Sequence, residues 1–215
     1  MRQACRTVSQ TARVEVMEKK SRFIATCRPL SSEQEALAFI GSERCEFPDA
    51  SHHVYAWIVA GDYMLQRFSD DGEPSGTGGM PVLETLRRQG IDQAGIVVSR
   101  YFGGVLLGTG GLSRAYALAA ARSVAAAGPV DLRLCQVYRV TTAYTDMERL
   151  RRAWQQKGWL IEYLTYGIDV EALVAVPVDA VSGFAQQCAD LSQGSALLQP
   201  EAQQYRPLPP PDPPA

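Results

Sequence analysis

The chain has 215 residues, enough to bury a substantial core in one large domain or two small ones. With 46% apolar and 20% charged residues its composition is that of an ordinary globular protein, and a formal net charge of −2 excludes a chain that is basic throughout. The charge is balanced locally too, with 14 basic and 13 acidic residues through Gly128 and 7 and 10 after it, so any surface for a polyanion must be a local strip.

Residues 1–11 read as a loose leader. Residues 13–17 alternate with the strand period through Val14 and Val16, and 21–27 form a second strand joined to the first by a turn at Glu18-Lys19-Lys20. Ser32 and Glu35 stand at capping-box spacing ahead of Ala36, Leu37, Phe39 and Ile40, which predicts a helix that stops before Pro48. Residues 53–60 and 63–68 read as strands joined at Gly61-Asp62. A glycine loop, a helix over about 80–88, a strand over 94–99, a second glycine loop and a helix over 112–127 follow. Along that last helix Leu112, Tyr116, Ala119 and Ser123 form one stripe.

Gly128-Pro129 ends the helix and marks a domain boundary. Beyond it the sequence predicts a strand over 132–144, a helix over 146–157, strands over 160–166 and 169–176, a helix over 178–191 and a strand over 195–199. Thr145 and Glu148 stand at capping-box spacing; Met147, Leu150 and Trp154 supply a buried stripe, and Gly158 is a stop signal. The order β-α-β-β-α-β is the split-βαβ, ferredoxin-like arrangement. The expected fold is therefore α+β in two domains, residues 12–128 and 129–201. A proline-rich tail over 202–215, closing in RPLPPPDPPA, is expected to be extended and disordered.

The most distinctive stretch is 68–122. It holds two glycine loops built on the same tripeptide, Gly76-Thr77-Gly78-Gly79 and Gly108-Thr109-Gly110-Gly111, each running into a helix. A helix N-terminus offers free amides and the positive end of a dipole, and glycines let an anion come close. With Arg100, Gly103-Gly104 and Arg114 nearby in sequence, the pair points to phosphate or nucleic-acid backbone contact. Tight loop-to-helix packing, with glycine permitting positive φ, is the structural alternative. Neither loop has the lysine of a Walker loop or the GxGxxG spacing, and no cofactor is expected.

Asp70, Asp71 and Glu73 put three carboxylates within four residues, a candidate site for magnesium or calcium; a turn in which Asp70 or Asp71 caps backbone amides is the simpler reading. His52-His53 opens a strand whose alternation sends the two rings to opposite faces, so one of them can line a cleft. The five cysteines (Cys5, Cys27, Cys45, Cys135, Cys188) are scattered without a CxxC pair. That argues against a disulfide framework or structural zinc and fits a reducing cytoplasm. None sits in a nucleophile's setting, and there is no GxSxG elbow. No apolar run reaches the roughly 18 residues of a membrane span, and MRQACRTVSQ lacks a signal peptide's apolar core. The expected location is cytoplasmic, away from membranes.

Lys20-Ser21-Arg22-Phe23-Ile24, Ala50-Ser51-His52, the run SDDGEPSGT from Ser69 to Thr77, and Arg100-Tyr101-Phe102-Gly103-Gly104 through Leu107-Gly108-Thr109-Gly110-Gly111-Leu112 resemble the IMPACT/YigZ family. The likeness is specific over residues 13–127. Over 128–200 it is looser, and there the chain is similar to the C-terminal domain of the bacterial YigZ branch. Gly78 stands where that family more often has alanine, and Met80 where lysine is common. The resemblance implies a first domain like the second domain of ribosomal protein S5 and like domain IV of elongation factor G. It implies a second, ferredoxin-like domain similar to that factor's domain V.

The resemblance also implies a link to translation. Eukaryotic members compete for an activator of the stress kinase that phosphorylates an initiation factor, helped by an extra RWD domain that is not expected here. The leading expectation is a non-enzymatic, translation-associated protein that contacts RNA or ribosomal phosphates through the paired loops with Arg100, Arg114 and His52. Its rivals are a metal-dependent hydrolase or phosphotransferase using Asp70, Asp71 and Glu73, and a protein–protein adaptor in translational stress regulation.

Overall fold

Strands β4 (His52–Ala60) and β6 (Gln93–Tyr101) are buried at nearly every position, because helices cover both faces of the sheet they centre. Alternation divides their side chains: Val54, Ala56, Ile58, Ile96 and Val98 face one layer, and Trp57, Val59 and Val97 face the other. The computed structural model describes residues 3–60 and 63–208, and the expected turn at Gly61-Asp62 lies outside the described residues. The chain divides into two units, Cys5–Val130 and a second that runs from Asp131 onward and includes residues 3–4. Among the described residues there are ten strands, five α-helices and a short 3-10 turn, a mixed α+β architecture.

In the first unit, β2 (Ala12–Glu18), β3 (Ser21–Pro29), β6, β4 and β5 (Met64–Ser69) lie side by side in that order, all antiparallel. Helix α1 (Glu33–Glu46) packs Ala36, Phe39 and Ile40 on one face of this sheet. Ser32 accepts from the Glu35 amide as its N-cap, and the Glu35 carboxylate reaches back to the Ser31 amide at 2.8 Å. On the opposite face lie α2 (Gly79–Arg88), through Val82, Leu83 and Leu86, and α3 (Gly108–Ala127), through Leu112, Tyr116, Ala119 and Ala120.

The expected loose leader is instead partly strand. β1 (Ala4–Val8) joins the start of β6 through a parallel bridge between Thr7 and Gln93, and Val8 is buried in the core. The second glycine loop also differs from expectation: Gly108–Gly111 is the first turn of α3 itself.

The second unit follows β7 (Pro129–Thr142), α4 (Tyr144–Gln156), β8 (Leu160–Tyr166), β9 (Val170–Pro177), α5 (Val181–Ser192) and β10 (Leu197–Pro207). Its sheet runs β10-β7-β9-β8, antiparallel throughout, which is the ferredoxin-like order. Three local expectations fail here. Thr145 lies inside α4, whose cap is Ala143 with no side-chain bond; Glu148 is drawn instead to Arg151 and Arg152, which hold its carboxyl down at about 2. The helix expected from 178 opens with a 3-10 turn (Val178–Ala180) before α5. β10 extends through Pro207, so residues 202–207 of the expected disordered tail are strand, paired from Gln203 onward with β7; residues 209–215 lie outside the described residues.

Phe184 on α5 is fully buried and meets the rings of Tyr138, Trp154 and Trp159. Phe184→Ala removes the hub of that cluster and is expected to cost about 3–5 kcal/mol of stability, read as a shift in the denaturant midpoint.

Candidate functional site

The two glycine-rich junctions share a sequence and differ in what fills them. At the first, Asp70 follows β5 and turns its carboxylate onto the start of α2. Its Oδ1 accepts from the amides of Gly78 and Gly79 at 2.9 and 2.8 Å, and its Oδ2 from the Gly76 amide at 2.8 Å. The Thr77 amide and hydroxyl both donate to the Pro74 carbonyl. Every loop amide from Gly76 to Gly79 is thus occupied from within the chain. The expectation that this junction cradles an exogenous anion is therefore not met, because a carboxylate from the same loop already sits there.

At the second junction the N-cap is Leu107, which offers no side-chain oxygen, and Gly108 takes φ +72 to let the chain enter the helix. No acceptor among the described residues meets the amides of Gly108, Thr109 or Gly110. Three donors and the positive end of a 20-residue helix are left facing outward. Arg114, one turn on, is exposed, and its Nη1 lies 3.6 Å from where a Cβ on Gly110 would be.

The strand period decides the fate of Arg100. It continues the Ala94, Ile96, Val98 series, so its side chain points at the α2/α3 face, where it is 5% exposed. Its Nη1 donates to Glu73 Oε1 at 2.5 Å, and the same oxygen accepts from the Tyr116 hydroxyl at 2.7 Å. Burial, reinforced by the bond to Glu73, pushes the Tyr116 phenol far up, so it stays a donor. Arg100 is thus a buried partner of Glu73, with its Nε left without an acceptor among the described residues.

Gly103 is likewise structural. A Cβ there would lie 2.1 Å from the Lys20 carbonyl carbon, and its amide donates to Ser21 Oγ. Gly104 takes φ +80 at an exposed bend.

The three neighbouring carboxylates do not converge. Asp70 caps α2, Asp71 meets Arg44 and the His53 amide, and Glu73 is buried with Arg100 and Tyr116. No group of three or more His, Cys, Asp or Glu side chains suited to a metal occurs among the described residues. The turn-and-cap reading accounts for Asp70.

A cleft of about 540 Å³ opens beside the second junction. Its polar walls are Ser51, His52, Glu73, Arg100, Gly108 and Thr109, and Pro74, Phe102, Leu106, Leu107 and Leu112 supply the apolar ones. His52 stands opposite Arg100 in the β4–β6 register. Its Nδ1 donates to the Asp71 carbonyl at 2.8 Å, which orients the ring, and its Nε2 lies 4.0 Å from Glu73. His53 points the other way, to the Phe47 carbonyl. Of the residues singled out from sequence, the cleft gathers His52, Glu73, Arg100 and Thr109, while Gly76 and Arg114 line a separate groove between α2 and α3. Sequence reasoning missed Glu73 as a partner of Arg100, although the parity of Arg100 along β6 announces an inward charge that needs one. Burial pushes the Cys27 thiol up to about 12 and the Cys188 thiol to about 11.

Comparison with known proteins bears on the same region. The family model of the Impact N-terminal domain matches residues 19–124, and a domain of unknown function (DUF1949) matches residues 140–195. The IMPACT family member YvyE of Bacillus subtilis is 32% identical over 190 residues, 88% of either chain. The chain belongs to the IMPACT family. The family member YigZ of Escherichia coli is 37% identical over 192 residues, covering 84% of this chain and 89% of the relative. The crystal structure of a hypothetical protein, 34% identical, superposes with a TM-score of 0.61 over 92% of this chain and 97% of the other. The cleft lies wholly within the matched Impact N-terminal region. Among the described residues no helix is long and apolar enough to cross a membrane.

Asp70→Ala leaves three amides at the start of α2 without their acceptor. The expected cost is about 1–3 kcal/mol, with hydrogen exchange at Gly78 and Gly79 accelerated and exchange at Gly108–Gly110 unchanged.

Proposed function

We propose that this IMPACT family member is a non-enzymatic, translation-associated binding protein that holds RNA through its phosphate backbone. The contacts run from the first turn of α3 along Arg114 to Arg88. The observation that carries this reading is the uncapped α3 N-terminus beside an exposed arginine, in contrast to the carboxylate-filled start of α2. Arg114 and Arg88 share a groove of about 330 Å³ between α2 and α3, and Glu84, which lines the same groove, is paired with Arg87. That makes a local basic strip on a chain whose overall charge is −2. This strip comprises Thr109, Gly110, Gly111, Arg114 and Arg88.

A second reading, a protein–protein adaptor, is favoured by one observation. Phe102, Val105 and Leu106 are exposed together on the loop before α3, Leu106 at 84%. Nuclease treatment separates the two, since an adaptor's complex survives it.

For the RNA reading, about three phosphate contacts on a single strand give a slope of log K against log salt near −2. Raising salt from 50 to 200 mM is then expected to weaken binding of a single-stranded RNA roughly 15-fold, measured by fluorescence anisotropy. Arg114→Ala reduces the slope by about 1. Binding that ignores salt, or none, contradicts the reading.

A further inference from the structure

The first junction shows in cis what fits the second. Asp70 places a carboxylate on the amides of Gly76, Gly78 and Gly79, and the α3 junction repeats the Gly-Thr-Gly-Gly sequence with that place open. The opening is walled rather than exposed on all sides, since Gly108 and Thr109 line the 540 Å³ cleft. A second, independent feature stands on the cleft wall: Arg100 is 5% exposed, and its Nε has no acceptor among the described residues. A buried guanidinium N–H without an acceptor is a costly group that an incoming oxygen would satisfy. Glu73 is no obstacle to an anion, because Oε1 is taken by both Arg100 and Tyr116. The rest of the lining is apolar, and Phe102 is half exposed with the Arg100 guanidinium 5.6 Å from its ring centroid.

From these observations we infer that the cleft binds a nucleoside monophosphate, its phosphate on the α3 amides and its base against Phe102 and Leu106. The ligand combines the two chemistries the cleft presents: a dianion for the helix N-terminus and a planar, largely apolar body for the aromatic and leucine walls. The volume suits it, since small-molecule sites run to about 300–1,000 Å³. The same chemistry arrives either as a free mononucleotide or as the 5′-phosphorylated end of an RNA. The inference shares the open α3 amides with the proposed function but needs neither Arg114 nor Arg88, so a mononucleotide site stands if those two arginines bind nothing.

The test is a titration of the full ¹⁵N-labelled chain with uridine, uridine 5′-monophosphate, inorganic phosphate and a trinucleotide with or without its 5′-phosphate. The expected result is amide shifts at Gly108, Thr109 and Gly110 and none at Gly78 and Gly79, with the monophosphate bound at least tenfold more tightly than uridine. A 5′-phosphorylated trinucleotide binding more tightly than the monophosphate marks an RNA end as the source; equal affinity marks the free nucleotide, and both support the site. Thr109→Asp puts a carboxylate in the first turn, where it supplies in cis what Asp70 supplies to α2. It is expected to abolish phosphate binding while the melting temperature holds or rises. Phe102→Ala is expected to bring the monophosphate down to the affinity of inorganic phosphate. Equal binding of uridine and its monophosphate, shifts at Gly78 and Gly79 as large as those at Gly108–Gly110, or undiminished binding by a folded Thr109→Asp chain overturns the inference. Arg88→Ala, at a residue that does not line the cleft, leaves this titration unchanged while flattening the salt dependence of RNA binding, so failure of one idea is told from failure of the other.

Discussion

One carboxylate decides how the first unit presents itself. Asp70 accepts three backbone amides at the start of α2, and this closes a junction that would otherwise be an anion cradle. Charge-assisted bonds of this kind are roughly twice as strong as neutral ones. The same loop continues to Asp71, which meets Arg44 and the His53 amide, and then to Glu73, which drops into the protein against Arg100 and Tyr116. Three acidic residues that look like a metal site on paper are therefore three separate anchors. Together they tie the loop to a helix start, to β4 and to the core beneath α3.

The Arg100–Glu73 pair matters for the cleft in a different way. Taking two charges out of water is expensive, and their bonds to each other and to Tyr116 offset that cost. The pair forms a rigid wall with no net charge. His52, held at Nδ1 by the Asp71 carbonyl, stands beside it, and Phe102 stacks at its edge. Among the described residues, what remains without a partner around the cleft is three amides at the start of α3 and the Arg100 Nε–H.

Much of this was legible in the sequence. The β-α-β-β-α-β order, the Ser32 cap, the stripes on α3 and α4 and the glycine breaks all rest on local chemistry and periodicity, which a chain displays one residue at a time. The losses have a common cause. Two identical glycine loops cannot be told apart without knowing that Asp70, six to nine residues upstream, folds back on only one of them. Arg100 reads as a surface arginine until its parity with Ile96 and Val98 is set beside a buried Glu73 that sequence separates by 27 residues. Residues 202–207 look like a polar and proline-rich tail, and become strand because β7 supplies a partner from Gln203 to Pro207. The Thr145–Glu148 spacing was outcompeted by the arginines one turn ahead.

Membership of the IMPACT family and the two-unit α+β architecture frame these local findings, and the asymmetry between the twin junctions gives them a functional direction. A crystal of the full chain grown in phosphate tests that asymmetry most directly. Tetrahedral density on the amides of Gly108–Gly110, with the Gly76–Gly79 amides still held by Asp70, is the predicted result. Density at the α2 junction, or an α3 junction closed by a side chain of its own, would contradict it.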